Sequence, residues 1–209
     1  MEAILPADLP NRECVACGAA RHLQLVTEIN EVMNLTRITA PREAAIKHIL
    51  DSVMPWRLFA GAKTVLDAGT GPGFPGLPLA LTLPDTAFTL AESTGKKARF
   101  VESAIAELKI GNARVWPERV EDLGKRERYE IVTARAFAPM PKALKMLMPL
   151  LKKGTRALLY KGPDVESEIA DAEREAKMAG VKFEIVMRYE LPEGLGARNI
   201  VQITVRLPA

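Results

Sequence analysis

The chain has 209 residues, 48% of them hydrophobic and 26% charged, and carries a formal net charge of +3. That length suits one α/β domain with a small appendage, and no apolar run approaches the length of a membrane span. The first residues lack a basic flank and a sustained apolar core, so no export signal is expected; the chain reads as cytoplasmic, with no membrane partner and no obligate protein partner evident. The charge is unevenly spread: residues 63–161 hold 17 basic and 10 acidic side chains, a net +7. That excess suits a polyanionic substrate, and equally suits solvated helix faces. The two cysteines form one Cys14-Val-Ala-Cys17 pair, which is half a zinc site, and His22 as a third ligand leaves it short. No metal site is expected, and the two thiols read as small residues near the start of a helix.

Up to residue 62 the pattern is helical, and residues 1–62 are expected to form a helical extension. Cys17 to Met33 carry apolar residues near helical spacing before Asn34-Leu-Thr-Arg-Ile-Thr breaks it. Pro41 opens a second helix over Arg42 to Val53, with Ala45, Ile46, Ile49 and Leu50 on one stripe and His48 and Asp51 as surface neighbours. From residue 63 strand-like runs at 63–68, 86–92, 113–116, 129–134, 155–161, 181–190 and 198–206 alternate with helices at 75–82, 96–109, 139–151 and 164–179. This alternation predicts a Rossmann-like doubly wound parallel sheet over 63–209, one compact unit. The last two runs are joined by Leu191-Pro-Glu-Gly-Leu-Gly-Ala alone and therefore form an antiparallel hairpin.

The most informative segment is Thr64-Val-Leu-Asp-Ala-Gly-Thr-Gly-Pro-Gly-Phe-Pro-Gly76. A strand ends in Asp67; Gly69, Gly71 and Gly73 then alternate, and a helix follows. Such a loop turns sharply and leaves room for a flat, nucleoside-like ligand beside the N–H groups of a helix start. Dinucleotides and S-adenosylmethionine both use loops of this kind. Asp67 favours the second, because a carboxylate there can meet the cofactor's ammonium group, directly or through water, and would repel a pyrophosphate. Pro72 and Pro75 also remove N–H donors that a phosphate cradle would use. The next strand ends in Glu92, an acid suited to a ribose diol in either case.

Ligands of an open α/β sheet bind beyond the carboxyl ends of its strands. Asp67 to Phe74, Glu92 to Thr94, Pro117 to Glu121, Ala134 to Phe137 and Lys161-Gly162 therefore converge on one cleft. Arg135 and Lys161 place two cations there, which marks them as candidates for substrate binding or catalysis. The fourth strand ends Thr133-Ala-Arg-Ala-Phe-Ala-Pro, without the Asn/Asp-Pro-Pro-aromatic clamp that amine methylation of adenine uses. No cysteine lies near the cleft in sequence for covalent attack on a pyrimidine. A purine ring nitrogen requires neither device, since its lone pair attacks a methyl group with no proton to remove.

Several stretches together resemble the RsmG (GidB) family, the bacterial 16S rRNA guanine-N7 methyltransferases. They are Asn34-Leu-Thr, Lys47-His-Ile-Leu-Asp-Ser52, Leu66 to Pro78, Glu92-Ser-Thr-Gly-Lys-Lys-Ala-Arg-Phe100, Arg119-Val-Glu121, Thr133-Ala-Arg-Ala-Phe137 and Tyr160-Lys-Gly162. The resemblance implies a class I S-adenosylmethionine-dependent methyltransferase that modifies one guanosine in a decoding-site-proximal loop of 16S rRNA, as RNA or within a small-subunit particle. Carried over, Gly69 and Phe74 line the cofactor, Glu92, Ser93 and Thr94 hold its ribose, and Val120 and Glu121 meet its adenine. Arg135 matches the family's cleft arginine. Lys161, His48, Asp51 and Asn34 match family motifs, and Arg135, Lys161 and His48 are the expected catalytic residues. Glu92 stands where Asp is commoner in the family, and the cysteine pair is no family signature. Two other readings of the residues remain open: an NAD-dependent oxidoreductase, and a non-catalytic RNA-binding or ribosome-assembly factor on the same scaffold.

Overall fold

The computed structural model describes residues 1–205. An N-terminal helix α1 (Arg12–Met33) leads through an extended strap to a short helical run made of α2 (Pro41–Ala44), a π-helical turn (Ala45–Leu50) and α3 (Asp51–Val53). Strands and helices then alternate: β1 (Thr64–Ala68), α4 (Gly76–Thr82), β2 (Ala87–Ala91), α5 (Gly95–Glu107), β3 (Ala113–Trp116), α6 (Val120–Arg126), β4 (Ile131–Arg135), α7 (Met140–Leu151) and β5 (Arg156–Lys161). After α8 (Val165–Asp171) and α9 (Glu173–Ala179), β6 (Val181–Glu190) and β7 (Ala197–Val205) close the described chain as an antiparallel hairpin. The seven strands run in the order β3-β2-β1-β4-β5-β7-β6, parallel except for β7 against β5 and β6.

Side chains alternate across a strand, so consecutive residues reach opposite faces of the sheet. Val65, Ile131 and Leu158 join the core beneath α1, α4 and α5, whereas their neighbours Leu66, Val132 and Leu159 join the core beneath α6 and α7. Covering both faces is what lets these strands be almost wholly apolar. Helix α1 packs on α4 and α5, so the N-terminal segment supplies part of the first core through Val15, Ala19 and Val26.

The structure differs from the sequence reading in detail. Helix α1 starts at Arg12, not Cys17, which puts both exposed cysteines in its first turns. A seven-residue helix, α6, occupies a stretch read as loop. The expected helix 164–179 is broken at Ala172 into α8 and α9. Residue 206, expected to end the last strand, lies outside the described residues.

The π turn has a consequence for the site. In it the Asp51 N–H reaches back to the carbonyl of Ile46, one residue further than in an α-helix, which leaves the Lys47 carbonyl free to accept from elsewhere.

Candidate active site

A cleft of about 930 Å³ opens at the carboxyl ends of β1, β2, β4 and β5 and is roofed by the strap after α1. Its floor is the glycine loop after β1. Gly69, Gly71 and Gly73 all have positive φ, 69°, 59° and 101°, which L side chains rarely adopt. A Cβ on Gly69 would also lie 2.7 Å from the Phe137 ring, so glycine lets the β4 loop close over the β1 loop.

Asp67 braces this loop from below. Its carboxylate is fully buried, and Oδ2 accepts from Thr70 Oγ1 at 2.6 Å and from the Gly76 N–H at 2.9 Å, capping α4. The approach is close enough that a Cβ on Gly76 would sit 2.7 Å from that oxygen. Oδ1 is buried and accepts no hydrogen bond among the described residues. Burial pushes the carboxyl up to about 6, against the two hydrogen bonds, which pull it down. Asp67 thus stands behind the loop and not on the cleft surface, where the sequence reading had put it.

Glu92 lies across the loop. Its Oε2 accepts from the Gly71 N–H at 3.1 Å and its Oε1 from the Thr94 N–H at 2.8 Å, so one carboxylate ties the loop after β1 to the turn after β2. Both oxygens keep a second lone pair for a diol. Ser93 and Thr94 are exposed at this turn. Val120 and Glu121 open α6, one strand further along the same edge because β3 neighbours β2. The Glu121 Oε2 is buried and unpartnered among the described residues. None of these last four walls the 930 Å³ cleft. Gly73 faces away from it too, toward Leu77 and His22.

Phe74 is clasped between two histidines. Its ring centroid lies 4.7 Å from that of His48, at 4° between planes, and 4.6 Å from that of His22. The Arg135 guanidinium sits 5.5 Å from the same ring centroid. Burial first, then the positive charge of Arg135, lowers His48 to about 3. The ring is therefore neutral at ordinary pH, and its Nε2 is paired with Thr36 Oγ1 at 3.0 Å. That contact pins the strap over the cleft. His22 was weighed in the sequence as a zinc ligand beside the cysteines; it is instead fully buried, with Nε2 2.7 Å from the Pro72 carbonyl. Burial lowers it to about 4, so Nε2–H donates as a neutral imidazole and holds the crest of the loop.

Arg135 ends β4 and is followed by Ala136 at φ 51°, a left-handed conformation costly for a residue with a Cβ. This sharp exit lays Phe137 over Gly69 while Arg135 points back toward the π turn. Its Nη1 donates to the Lys47 carbonyl at 2.8 Å, the one released by the π turn, and pairs with Asp51 Oδ2 at 3.2 Å. Asp51, 2% exposed, also accepts from Tyr189 Oη at 2.8 Å and pairs with Arg198 at 3.4 Å. Burial, then the Asp51 charge, holds the Tyr189 hydroxyl protonated and donating. Lys161 ends β5; its Nζ donates to the Ala138 carbonyl at 2.9 Å and to Glu168 Oε2 at 2.6 Å.

Of the expected residues, His48, Gly69, Gly71, Phe74, Glu92, Arg135 and Lys161 meet at the cleft. Sequence reasoning missed Thr36, Glu168, Tyr189 and Arg198. Lys161 ends β5 and Glu168 lies in α8, so their seven-residue separation crosses a turn and left no periodic signal. Nothing local marks Tyr189 or Arg198, which arrive through the hairpin. Asn34, set in the left-handed region at the end of α1, acts as a helix terminator and does not line the cleft.

The family model for rRNA small subunit methyltransferase G (GidB) matches residues 18–198. A Ribosomal RNA small subunit methyltransferase G from Solibacter usitatus (strain Ellin6076) is 59% identical over 203 residues, covering 97% of each chain. Its namesake from Symbiobacterium thermophilum is 42% identical over 200 residues, 90% of this chain and 80% of its own. Among solved structures, the O-methyltransferase TomG from Streptomyces achromogenes, in complex with SAM, superposes with a TM-score of 0.60 at 16% identity, covering 91% of this chain and 90% of that one. At that identity the similarity speaks for the fold, the doubly wound sheet of class I S-adenosylmethionine-dependent methyltransferases. With the family model spanning most of its length and a nearly full-length relative at 59% identity, this chain belongs to the rRNA small subunit methyltransferase G (GidB) family.

Proposed function

We propose that the chain uses S-adenosylmethionine to methylate N7 of one guanosine in a decoding-site-proximal loop of 16S rRNA, as RNA or within a small ribosomal subunit particle, in the cytoplasm. The observation that carries this reading is the pairing, on one sheet end, of a glycine floor braced by Asp67 and Glu92 with a second half built from Arg135 and Lys161. The residues present fit the cofactor. Glu92 has lone pairs for the ribose hydroxyls, flanked by Ser93 and Thr94. The unpartnered Glu121 Oε2, beside Val120, is an acceptor for the adenine amino group. Asp67, buried behind the loop, holds the glycine floor in shape and does not itself touch the ammonium group.

When bound, S-adenosylmethionine supplies the activated methyl group. A guanine N7 lone pair has no proton to lose, so the neutral His48 is not required as a base. Its role is to hold Phe74 and, through Thr36, the strap. The chain's contribution is alignment of base and methyl donor, of the kind worth several kcal/mol in ordered sites. Arg135 and Lys161 suit phosphate or the guanine O6 edge. The methylated base is cationic, and here the carboxylates matter: Asp51 offsets Arg135 and Glu168 offsets Lys161, so the cleft does not expel its product. In this reading residues 1–62 are a helical extension that roofs the methyltransferase unit of 63–209.

Calorimetric titration with S-adenosylhomocysteine and, separately, NADH tests the cofactor. Micromolar S-adenosylhomocysteine binding, about 8 kcal/mol, with no heat from NADH is expected. The reverse pattern returns the nicotinamide alternative, and rRNA binding with neither cofactor returns the non-catalytic one.

A further inference from the structure

N7 has the same lone pair in adenine and guanine, so N7 chemistry cannot by itself select guanosine. Something in the cleft must read another edge of the base. We infer that the Lys161–Glu168 pair does so, the ammonium donating to O6 and the carboxylate accepting from N1–H and N2–H; this rests on the guanosine-N7 reading above.

Lys161 Nζ spends two of its three donors on the Ala138 carbonyl and Glu168 Oε2. Its side chain is 10% exposed, so the third N–H faces the cleft in a fixed place. Glu168 Oε2 is held twice, by Lys161 and by the Met140 N–H at 3.2 Å. Oε1 accepts no hydrogen bond among the described residues, and Glu168 walls the same cleft. An ammonium donor beside a free carboxylate oxygen is the complement of guanine, which presents an acceptor at O6 next to donors at N1 and N2. Adenine presents the reverse, an amino donor against the ammonium and a lone pair against the carboxylate, and leaves both protein groups unpaired. Discrimination of this kind exceeds what shape alone supplies.

The carboxylate half of the pair favours the reaction and offsets the repulsion between the Lys161 ammonium and the developing positive charge. As N7 gains positive charge, N1–H and N2–H become stronger donors, and their bonds to Glu168 tighten on the way to the transition state. Interactions that strengthen in this way raise kcat as well as kcat/KM. Arg135 lacks the second half of this reader, because both oxygens of its carboxylate partner Asp51 are engaged by Arg135, Tyr189 and Arg198.

The test is a cycle between one base and one side chain. Small-subunit particles are reconstituted with guanosine or inosine at the methylated position; inosine lacks only the N2 amino group and keeps N7 and O6. Wild-type enzyme is expected to lose about ten- to a hundredfold in kcat on inosine. Glu168→Gln keeps an oxygen for Met140 and Lys161, and is expected to lose about as much on guanosine but under about threefold more on inosine. A full inosine penalty in the variant, or none in the wild type, overturns the inference. So does loss of S-adenosylhomocysteine affinity in Glu168→Gln, which would make the residue structural. Wild-type enzyme that leaves the guanosine particles unmethylated overturns the N7 reading itself, and this inference with it.

Discussion

Replacing Asp67 with asparagine gives the clearest stability signature in the molecule. The buried carboxyl titrates at about 6 in the fold, against 3.8 for an unburied aspartate, because burial outweighs its bonds to Thr70 and Gly76. A folded pKa above the unfolded one means that the native chain takes up a proton first as pH falls. The group therefore favours folding most below the unfolded value, and that contribution is lost as pH rises through the folded value. Two pKa units correspond to about 3 kcal/mol in full, of which about 2 kcal/mol falls between roughly pH 4.5 and pH 7.5. Asp67→Asn keeps an oxygen for Thr70 and Gly76 and removes the titration. Urea unfolding followed by tryptophan fluorescence should then show the variant's stability relative to wild type about 2 kcal/mol better near pH 7.5 than near pH 4.5. Comparing the two proteins at each pH cancels every other titrating group. A difference that stays flat with pH, or one that favours the variant more in acid, would refute the assignment of a buried, proton-hungry brace under the loop.

Other consequences are as direct. Glu92→Ala should weaken S-adenosylhomocysteine binding by about 1.5–3 kcal/mol in calorimetry, since it removes the acceptor for the ribose and unties Gly71 from Thr94. Arg135→Ala should cost about 2–3 kcal/mol in urea unfolding, less than a fully orphaned buried partner, because Asp51 keeps Tyr189 and Arg198. Arg135→Lys should stay folded yet restore little methyl transfer to rRNA, as an ammonium lacks the planar guanidinium that reaches the π-turn carbonyl through Nη1 while facing the Phe74 ring; full transfer by that variant would show that charge alone suffices. His22→Ala removes the hold on Pro72 and empties a fully buried site between Phe74 and Phe100, for about 2–4 kcal/mol of stability. Lys96, Lys97 and Arg99 lie in the first two turns of α5, with Lys97 on the cleft wall and no ion pair to any of the three among the described residues. Reversing all three to Glu should flatten the slope of log rRNA affinity against log salt by roughly two.

The strands and their ends were legible because short apolar runs, broken by turn residues and followed by apolar spacing near 3.6, have few alternatives. That rule brought Gly69, Glu92, Arg135 and Lys161 to one edge without any structure. The partners of those residues were not legible. Asp51 is paired with Tyr189 and Arg198 from 138 and 147 residues away, and the hairpin register that delivers them has no local signature. The π turn was hidden because the apolar stripe of Ala45, Ile46, Ile49 and Leu50 fits an α-helix as well. Only the released Lys47 carbonyl, taken by Arg135, shows what the extra residue does. Asp67 was placed correctly at the strand end and wrongly on the cleft face, since alternation fixes the side of a strand but not which way a carboxylate turns once a helix start offers it N–H groups. Helix α6 is two turns long, too short to leave a periodic pattern.

The most direct measurement of the central claim is the site of methylation. N7-methylguanosine carries a fixed positive charge, and after borohydride reduction aniline breaks the chain there. Protein and S-adenosylmethionine, added to 16S rRNA or small subunits from cells lacking the gene, should create one such break, at a guanosine. Methyl incorporation without a break would contradict N7 as the target atom, and no incorporation into RNA or particle would contradict methyl transfer to rRNA altogether.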